Sequence, residues 1–280
     1  MRRIKYGVLA LIFAVLLSGC AKKTEAGKSE YPHSIVALSP ASAEILFALG
    51  AGNQVVAVSD FTDYPAEAAA LPKVGGFDGK TLSMEKILSF KPDFVYLTDG
   101  MHNFLIEELE AAKINYYVSN ASSIKAVVQE IQQIGEITGH STEAKKVIAE
   151  MSQKISSFRD SSASAPSVYY EVWNAPYMSA GSTSFINDVI SAAGGKNLFG
   201  DLTDAYPMVS EETIIARQPE IILIPATSGI SVDTIGNRAG WKDIPAVKNN
   251  RVYIIDDNLF TRSGPRIADA VQTLSELITK

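Results

Sequence analysis

From Ser34 onward the chain alternates between short apolar runs rich in β-branched residues and longer stretches whose apolar positions recur at helical spacing. Strands are predicted at residues 34–38, 55–58, 94–97 and 115–118 in the first half, and at 168–172, 221–224 and 252–255 in the second. Helices fall between them. Ser39-Pro40 supplies a cap and a proline at the first helical position, and the helix it opens runs through Ile45, Leu46 and Leu49 to stop at Gly50 and Gly52. Others are predicted at 104–112, 185–193 and from Pro265 to about residue 278. Strands and helices alternating at this spacing imply parallel sheets covered on both faces.

Two stretches follow one template. Ser83-Met84-Glu85-Lys86-Ile87 leads to Lys91-Pro92-Asp93 and the strand at 94–97. Ser210-Glu211-Glu212-Thr213-Ile214 leads to Gln218-Pro219-Glu220 and the strand at 221–224, every equivalent pair standing 127 positions apart. Each copy reads as a serine cap, a short helix with an acid in its first turn, a proline stop and a buried strand. A unit used twice suggests two similar α/β lobes, and two lobes make a cleft.

Between the halves lie two helical segments with almost no break. One covers 124–138 and ends at Gly139. Ser141 caps the next, in which Val147, Ile148, Met151, Ile155 and Phe158 keep helical spacing as far as Arg159, before a serine- and proline-rich run at 161–166. The expected organisation is a lobe at 34–140, a connecting helix at 141–160 and a second lobe at 161–280. The fold class is α/β: two Rossmann-like lobes with central, mostly parallel sheets, joined by a single long helix. A helical connector resists wide hinge closure, so a modest opening motion is expected.

The N-terminus adds an address. Arg2, Arg3 and Lys5 precede an apolar run at 8–17, and Leu17-Ser18-Gly19 brings small residues up to Cys20, the single cysteine. The apolar run is too short to span a bilayer, so residues 1–19 read as a cleaved export signal. A lone thiol directly after Leu-Ser-Gly resembles a bacterial lipoprotein processing site, with Cys20 lipidated and residues 20–33 as a polar tether reaching on the order of 20 Å. The product would sit on the extracytoplasmic face of a membrane, at the cell surface or in a periplasm. Cleavage takes the net charge from −6 to −9, since it removes three cations and no acid. An acidic exported protein without a basic stripe is a poor nucleic-acid binder.

Enzyme signatures are missing: there is no Gly-x-Ser-x-Gly, no paired-histidine zincin motif and no Cys-x-x-Cys. Of the three histidines, His102 follows the strand at 94–97, at the strand end that opens onto the ligand crevice in parallel sheets. It reads either as a polar loop residue or as a contact to a ligand's metal. Tyr64, Phe77, Trp173, Tyr177, Tyr206 and Phe260 lie near turn residues, and Arg262 and Arg266 flank Ser263-Gly264-Pro265. Aromatics in the loops of both lobes suit a large, flat, partly apolar ligand held between ring faces, with the arginines meeting its amide, carboxylate or phosphate groups. Glu85 and Glu212 either complement their helix dipoles or project from equivalent points to meet arginines of a symmetric partner.

Several of these segments together resemble the substrate-binding lipoproteins of ABC importers for cobalamin and iron–siderophores. They are Ser39-Pro40-Ala41-Ser42-Ala43-Glu44, the segment 59–65 with Asp63-Tyr64-Pro65, Leu82 to Ile87 with Lys91-Pro92-Asp93, Ala192-Ala193-Gly194-Gly195-Lys196-Asn197, Val209-Ser210-Glu211-Glu212 and Ser263-Gly264-Pro265-Arg266-Ile267. The likeness covers almost all of residues 34–279 and is greatest to cobalamin-binding members. It implies a class III periplasmic-binding-protein-like fold and a monomer with no catalysis, no resident cofactor and no metal site of its own. Carried over by position, Tyr64, Phe77, Tyr206 and Phe260 would contact cobalamin or a related corrinoid clamped in the cleft, with Arg266 beside it; Ser39, Pro40, Ala41, His102, Trp173, Tyr177 and Arg262 complete the candidate ligand-binding set. Glu85 and Glu212 would dock on a two-fold permease that works with ATPase subunits. Two departures from the cobalamin pattern stand out: Phe77 and Tyr206 replace tryptophans, and His102 occupies a loop without a histidine. A ferric siderophore or haem is the alternative ligand. An exported α/β hydrolase is the remote alternative, and a zinc or manganese receptor would need a cluster of histidines and acids that this chain lacks.

Overall fold

The computed structural model describes residues 30–156 and 165–280. The predicted signal segment, Cys20, most of the tether and the end of the predicted connecting helix lie outside the described residues. The first half contains β1 (Ile35–Ala37), α1 (Pro40–Ala48), β2 (Val55–Val58), α2 (Ala66–Ala69), α3 (Met84–Ser89), β3 (Phe94–Thr98), α4 (Ile106–Ala111), β4 (Asn115–Ser119) and α5 (Ile124–Thr138). After α6 (Ser141–Ser156) come β5 (Ser167–Tyr170), β6 (Trp173–Asn174), β7 (Tyr177–Met178), α7 (Phe185–Ala192), β8 (Lys196–Asn197), α8 (Glu211–Arg217) and β9 (Ile221–Pro225). The chain then runs through α9 (Val232–Gly236), α10 (Pro245–Lys248), β10 (Val252–Ile255), α11 (Asp257–Thr261) and α12 (Ile267–Ile278). No described helix is long and apolar enough to cross a membrane.

Two parallel four-stranded sheets carry the fold, in the orders β2-β1-β3-β4 and β10-β9-β5-β8. Taken from its other edge, the second sheet runs β8-β5-β9-β10, so first, second, third and fourth strands occupy the same places in both. The repeated sequence unit builds the third strand and its preceding helix each time. Ser83 and Ser210 cap α3 and α8 by accepting from the N–H of Lys86 and Thr213. Lys91 and Gln218 both turn out of their helices with positive φ, 51° and 50°. The acid two residues on then ties down the start of the first strand: Asp93 accepts from the N–H of His33 and Ser34 at 2.9 Å, and Glu220 from that of Ser167 at 2.8 Å.

Strand alternation divides the interior into three. Val36, Val95 and Leu97 face a core with Ile87 and Leu109, and Tyr169, Ile222 and Ile224 face another with Ile214 and Trp241. The opposite faces, Ile35, Phe94 and Tyr96 in one sheet and Val168, Tyr170, Ile221 and Leu223 in the other, belong to a single continuous core. Helices α1, α5, α6, α7 and α12 fill it with Ile45, Leu46, Val127, Ile131, Met151, Ile186, Val189, Val271 and Leu274. The lobes therefore share hydrophobic interior instead of touching only through a connector.

Departures from expectation are local. The helix expected at 104–112 starts at Ile106, after one tight turn at Asn103–Leu105, and the last helix starts at Ile267, not Pro265. The strand expected to reach Val172 ends at Tyr170, and an antiparallel hairpin, β6–β7, follows it. Elements of two to five residues such as β8, α2, α9, α10 and α11 are too short to show a period in the sequence.

Candidate functional site

In both sheets the first strand sends its following helix to the shared core, while the third sends its chain to the opposite face. Such switch points open crevices beyond the carboxyl ends of parallel strands. The segments leaving those ends carry most of the large exposed apolar side chains: Phe61, Tyr64, Met101 and Phe104 from the first lobe, Trp173, Tyr206 and Met208 from the second. Large apolar side chains left exposed in these segments make the strand ends the candidate contact site. Sequence reasoning had Tyr64, Trp173 and Tyr206 but missed Phe61, Met101, Phe104 and Met208, which the same positional rule would have found.

The two lobes are bridged here by buried charge. Glu44 on α1, its side chain 2% exposed, accepts from Arg266 Nε at 2.9 Å and Nη2 at 2.5 Å and from Arg262 Nη1 at 3.1 Å. Arg262 also forks onto Asp63 at 2.6 and 3.1 Å, and the Arg266 guanidinium lies 4.0 Å from the centre of the Tyr64 ring. The hydrogen bond from Arg262 holds the Asp63 carboxyl below the usual carboxylate range. Tyr64, Arg262 and Arg266 thus meet at one point, where both arginines hold carboxylate partners. They pair with Glu44 and Asp63 across the lobe junction, because a buried guanidinium needs carboxylate partners.

Ser39, Pro40 and Ala41 start α1 beneath this bridge. Ser39 and Ser42 satisfy each other in a capping box, Ser39 and Pro40 are buried, and Ala41 alone is partly exposed. The turn at 263–265 closes over them: a side chain at Gly264 would meet Glu44 Oε2 at 3.5 Å and the Ala41 carbonyl at 3.8 Å.

His102 is fully buried at the end of β3. Its Nδ1 accepts from the Thr98 N–H at 2.9 Å, and its Nε2 has no partner among the described residues. Desolvation lowers its pKa to about 4, which keeps the imidazole neutral. Phe77 tilts over the ring at 6.0 Å between centroids and stacks on Phe61 at 4.5 Å. An unmet buried polar group costs about 1–3 kcal/mol, so its persistence calls for a reason.

In the second lobe, Trp173 stands exposed on the hairpin, while Tyr177 is half-buried and donates to Glu211 Oε1 at 3.1 Å. The Trp241 indole donates to the same oxygen at 2.8 Å, and Arg238 packs over both rings while forking onto buried Glu171. Tyr177 is therefore a structural partner of α8. Phe260 is 1% exposed in the shared core: on α11 its ring faces inward to cover apolar neighbours. Tyr170 is also buried, its hydroxyl without a partner among the described residues and close to Tyr206 and Asp257.

Glu85 and Glu212 lie exposed in the first turns of α3 and α8 and form no ion pair among the described residues. Their neighbours one position earlier, Met84 and Glu211, turn inward. Among the described residues no group of three or more His, Cys, Asp or Glu is placed to hold a metal ion.

Comparison with known proteins gives a consistent setting. A family model for periplasmic binding proteins matches residues 35–259. The ABC transporter substrate-binding lipoprotein YvrC of Bacillus subtilis is 31% identical over 95% of this chain and 86% of its own length. A vitamin B12-binding protein of Vibrio parahaemolyticus is 27% identical over 86% of this chain and 88% of its own. Among solved structures, the periplasmic heme-binding protein RhuT of Roseiflexus sp. RS-1 superposes with a TM-score of 0.77 at 27% identity, covering 88% of this chain and 97% of RhuT.

Proposed function

We propose a ligand for this chain, which belongs to the periplasmic binding protein family: cobalamin or a related corrinoid, captured outside the cytoplasm and handed to an ABC importer. The chain is a substrate-binding protein of the ABC type, with the class III fold of that family. The observation that carries the ligand reading is the set of exposed aromatic and methionine side chains at the carboxyl strand ends of both lobes. A corrinoid is broad, flat and apolar on its faces with amides at its rim, and ring faces from two sides suit it. The similarity to vitamin B12-binding proteins supports the same ligand. Lipid on Cys20 would tether the protein to the outer face of a membrane, in keeping with the lipoprotein YvrC. Exposed Glu85 and Glu212, at equivalent points of the two lobes, would seat on the two halves of the permease. Binding and release complete the cycle without bond-making.

Calorimetric titration of the purified protein with cyanocobalamin tests the ligand. Saturable one-to-one binding at micromolar protein is expected. No heat would turn the reading to haem or a ferric siderophore, and the likeness to a heme-binding protein makes haem the second ligand to titrate.

A further inference from the structure

The hydrogen bonding of His102 decides what its hidden nitrogen offers. A backbone N–H can only donate, so Nδ1, facing the Thr98 amide at 2.9 Å, is an acceptor. A neutral imidazole with Nδ1 as acceptor carries its proton on Nε2. Nε2–H is then a buried donor with no acceptor among the described residues. It lies at the switch point of the first sheet, where a ligand crevice is expected.

Phe77 lies over the imidazole and against half-exposed Phe61. It is carried by Gly75-Gly76-Phe77-Asp78-Gly79, in which Gly75 adopts φ +132°, a conformation that L side chains avoid. Phe77 thus sits on a glycine-rich loop, stacked on Phe61 from the segment after β2, beside the ring that carries the preformed donor.

We propose that His102 Nε2–H donates a hydrogen bond to an amide carbonyl or carboxylate oxygen of the bound molecule once Phe77 turns aside, and that His102 does not ligate the molecule's metal. Ligation needs a lone pair on Nε2. Freeing one would put the proton on Nδ1, where it would point at the Thr98 N–H and leave two donors facing each other. The proposal rests on the corrinoid reading and gives His102 a role within it.

His102→Asn isolates the donor, because the asparagine carbonyl can still accept from Thr98 while its NH2 stops an atom short of the Nε2 position. Cyanocobalamin affinity is expected to fall roughly tenfold, the worth of one buried hydrogen bond. If wild type binds and the variant binds equally well, the proposal fails while the corrinoid reading stands; if wild type does not bind, both fail. Should the variant not fold, nitrogen-15 spectra of the wild type remain decisive, with only three histidines to assign. They should show His102 protonated at Nε2 and that signal moving on addition of cyanocobalamin; a proton on Nδ1 or an unmoved signal overturns the proposal. Aquocobalamin should keep its water-ligated visible spectrum on binding, and an imidazole-ligated spectrum would also overturn it.

Discussion

Glu44→Gln should be the most damaging single change at the lobe junction. The glutamate side chain is 2% exposed and takes three hydrogen bonds from two guanidinium groups. Removing one member of a buried ion pair costs about 3–5 kcal/mol, because the surviving charge stays desolvated. Here the lower bound applies. Arg262 keeps Asp63, and Arg266, 21% exposed, keeps the Tyr64 ring face and some water. For a chain of this length about 3 kcal/mol corresponds to a fall of about 6–12 °C in Tm. Thermal unfolding followed by circular dichroism at pH 7 measures it, with Lys146→Ala as a control. That residue's only ion pair among the described residues is a 4.0 Å contact to Glu150, with both side chains largely exposed, so little change is expected. The Glu44→Gln deficit should persist in high salt, since a buried pair is poorly screened. A fall of less than 2 °C would refute the reasoning: the arginines would then rehydrate freely and the bridge would not hold the lobes.

Two further outcomes follow from the same geometry. Glu85→Ala with Glu212→Ala should leave cyanocobalamin affinity intact while uptake by cells drops severalfold; unchanged uptake would remove their docking role. Stability should fall as pH drops from 6.5 toward 4, because His102 resists protonation when folded, with a pKa of about 4 against 6.5 unfolded. The unfolded chain binds the extra proton in that window, a loss on the order of 3 kcal/mol that His102→Asn should abolish and urea midpoints would report. Asp63, whose folded pKa is depressed, contributes stability that is present above its unfolded pKa and is lost only at more acid pH, so its decline should survive in the variant.

Much of the scaffold was legible because its signals are local. The serine caps, Lys91-Pro92-Asp93 and Gln218-Pro219-Glu220 each act within a few residues of where they stand, or on a neighbouring strand whose apolar run was plain. The repeat announced two equivalent sheets before any topology was known, and strand order bears this out. The site was legible only as a location. Loop aromatics at strand ends drew attention to Tyr64, Trp173 and Tyr206, but Phe260 looked the same in sequence and is buried core. Nothing local separates a ring on a loop from a ring on a one-turn helix facing inward. The arginine partners were invisible for a different reason: Glu44 and Arg266 are 222 positions apart, and Glu44 reads as an ordinary polar residue in a helix.

The shared core and the charged bridge bear together on how a ligand enters. One continuous apolar interior links both sheets through α5, α6, α7 and α12, and Glu44 adds a buried tie on the crevice side. Separating the lobes widely would expose that interior at about 25 cal/mol for each Å² and strand three charges, which makes large hinge opening costly. Opening then falls to elements outside the shared core. The loop carrying Phe77 is one: Asp60 and Gly75 bond each other in both directions, Asp78 and the Gly76 N–H reach Thr81, and Phe77 packs beside His102. With the lobes held by a shared core, Glu85 and Glu212 would keep their separation whether or not the cleft is filled. On this reasoning a permease would sense occupancy through the rim loops, not through a change in the distance between the two acids.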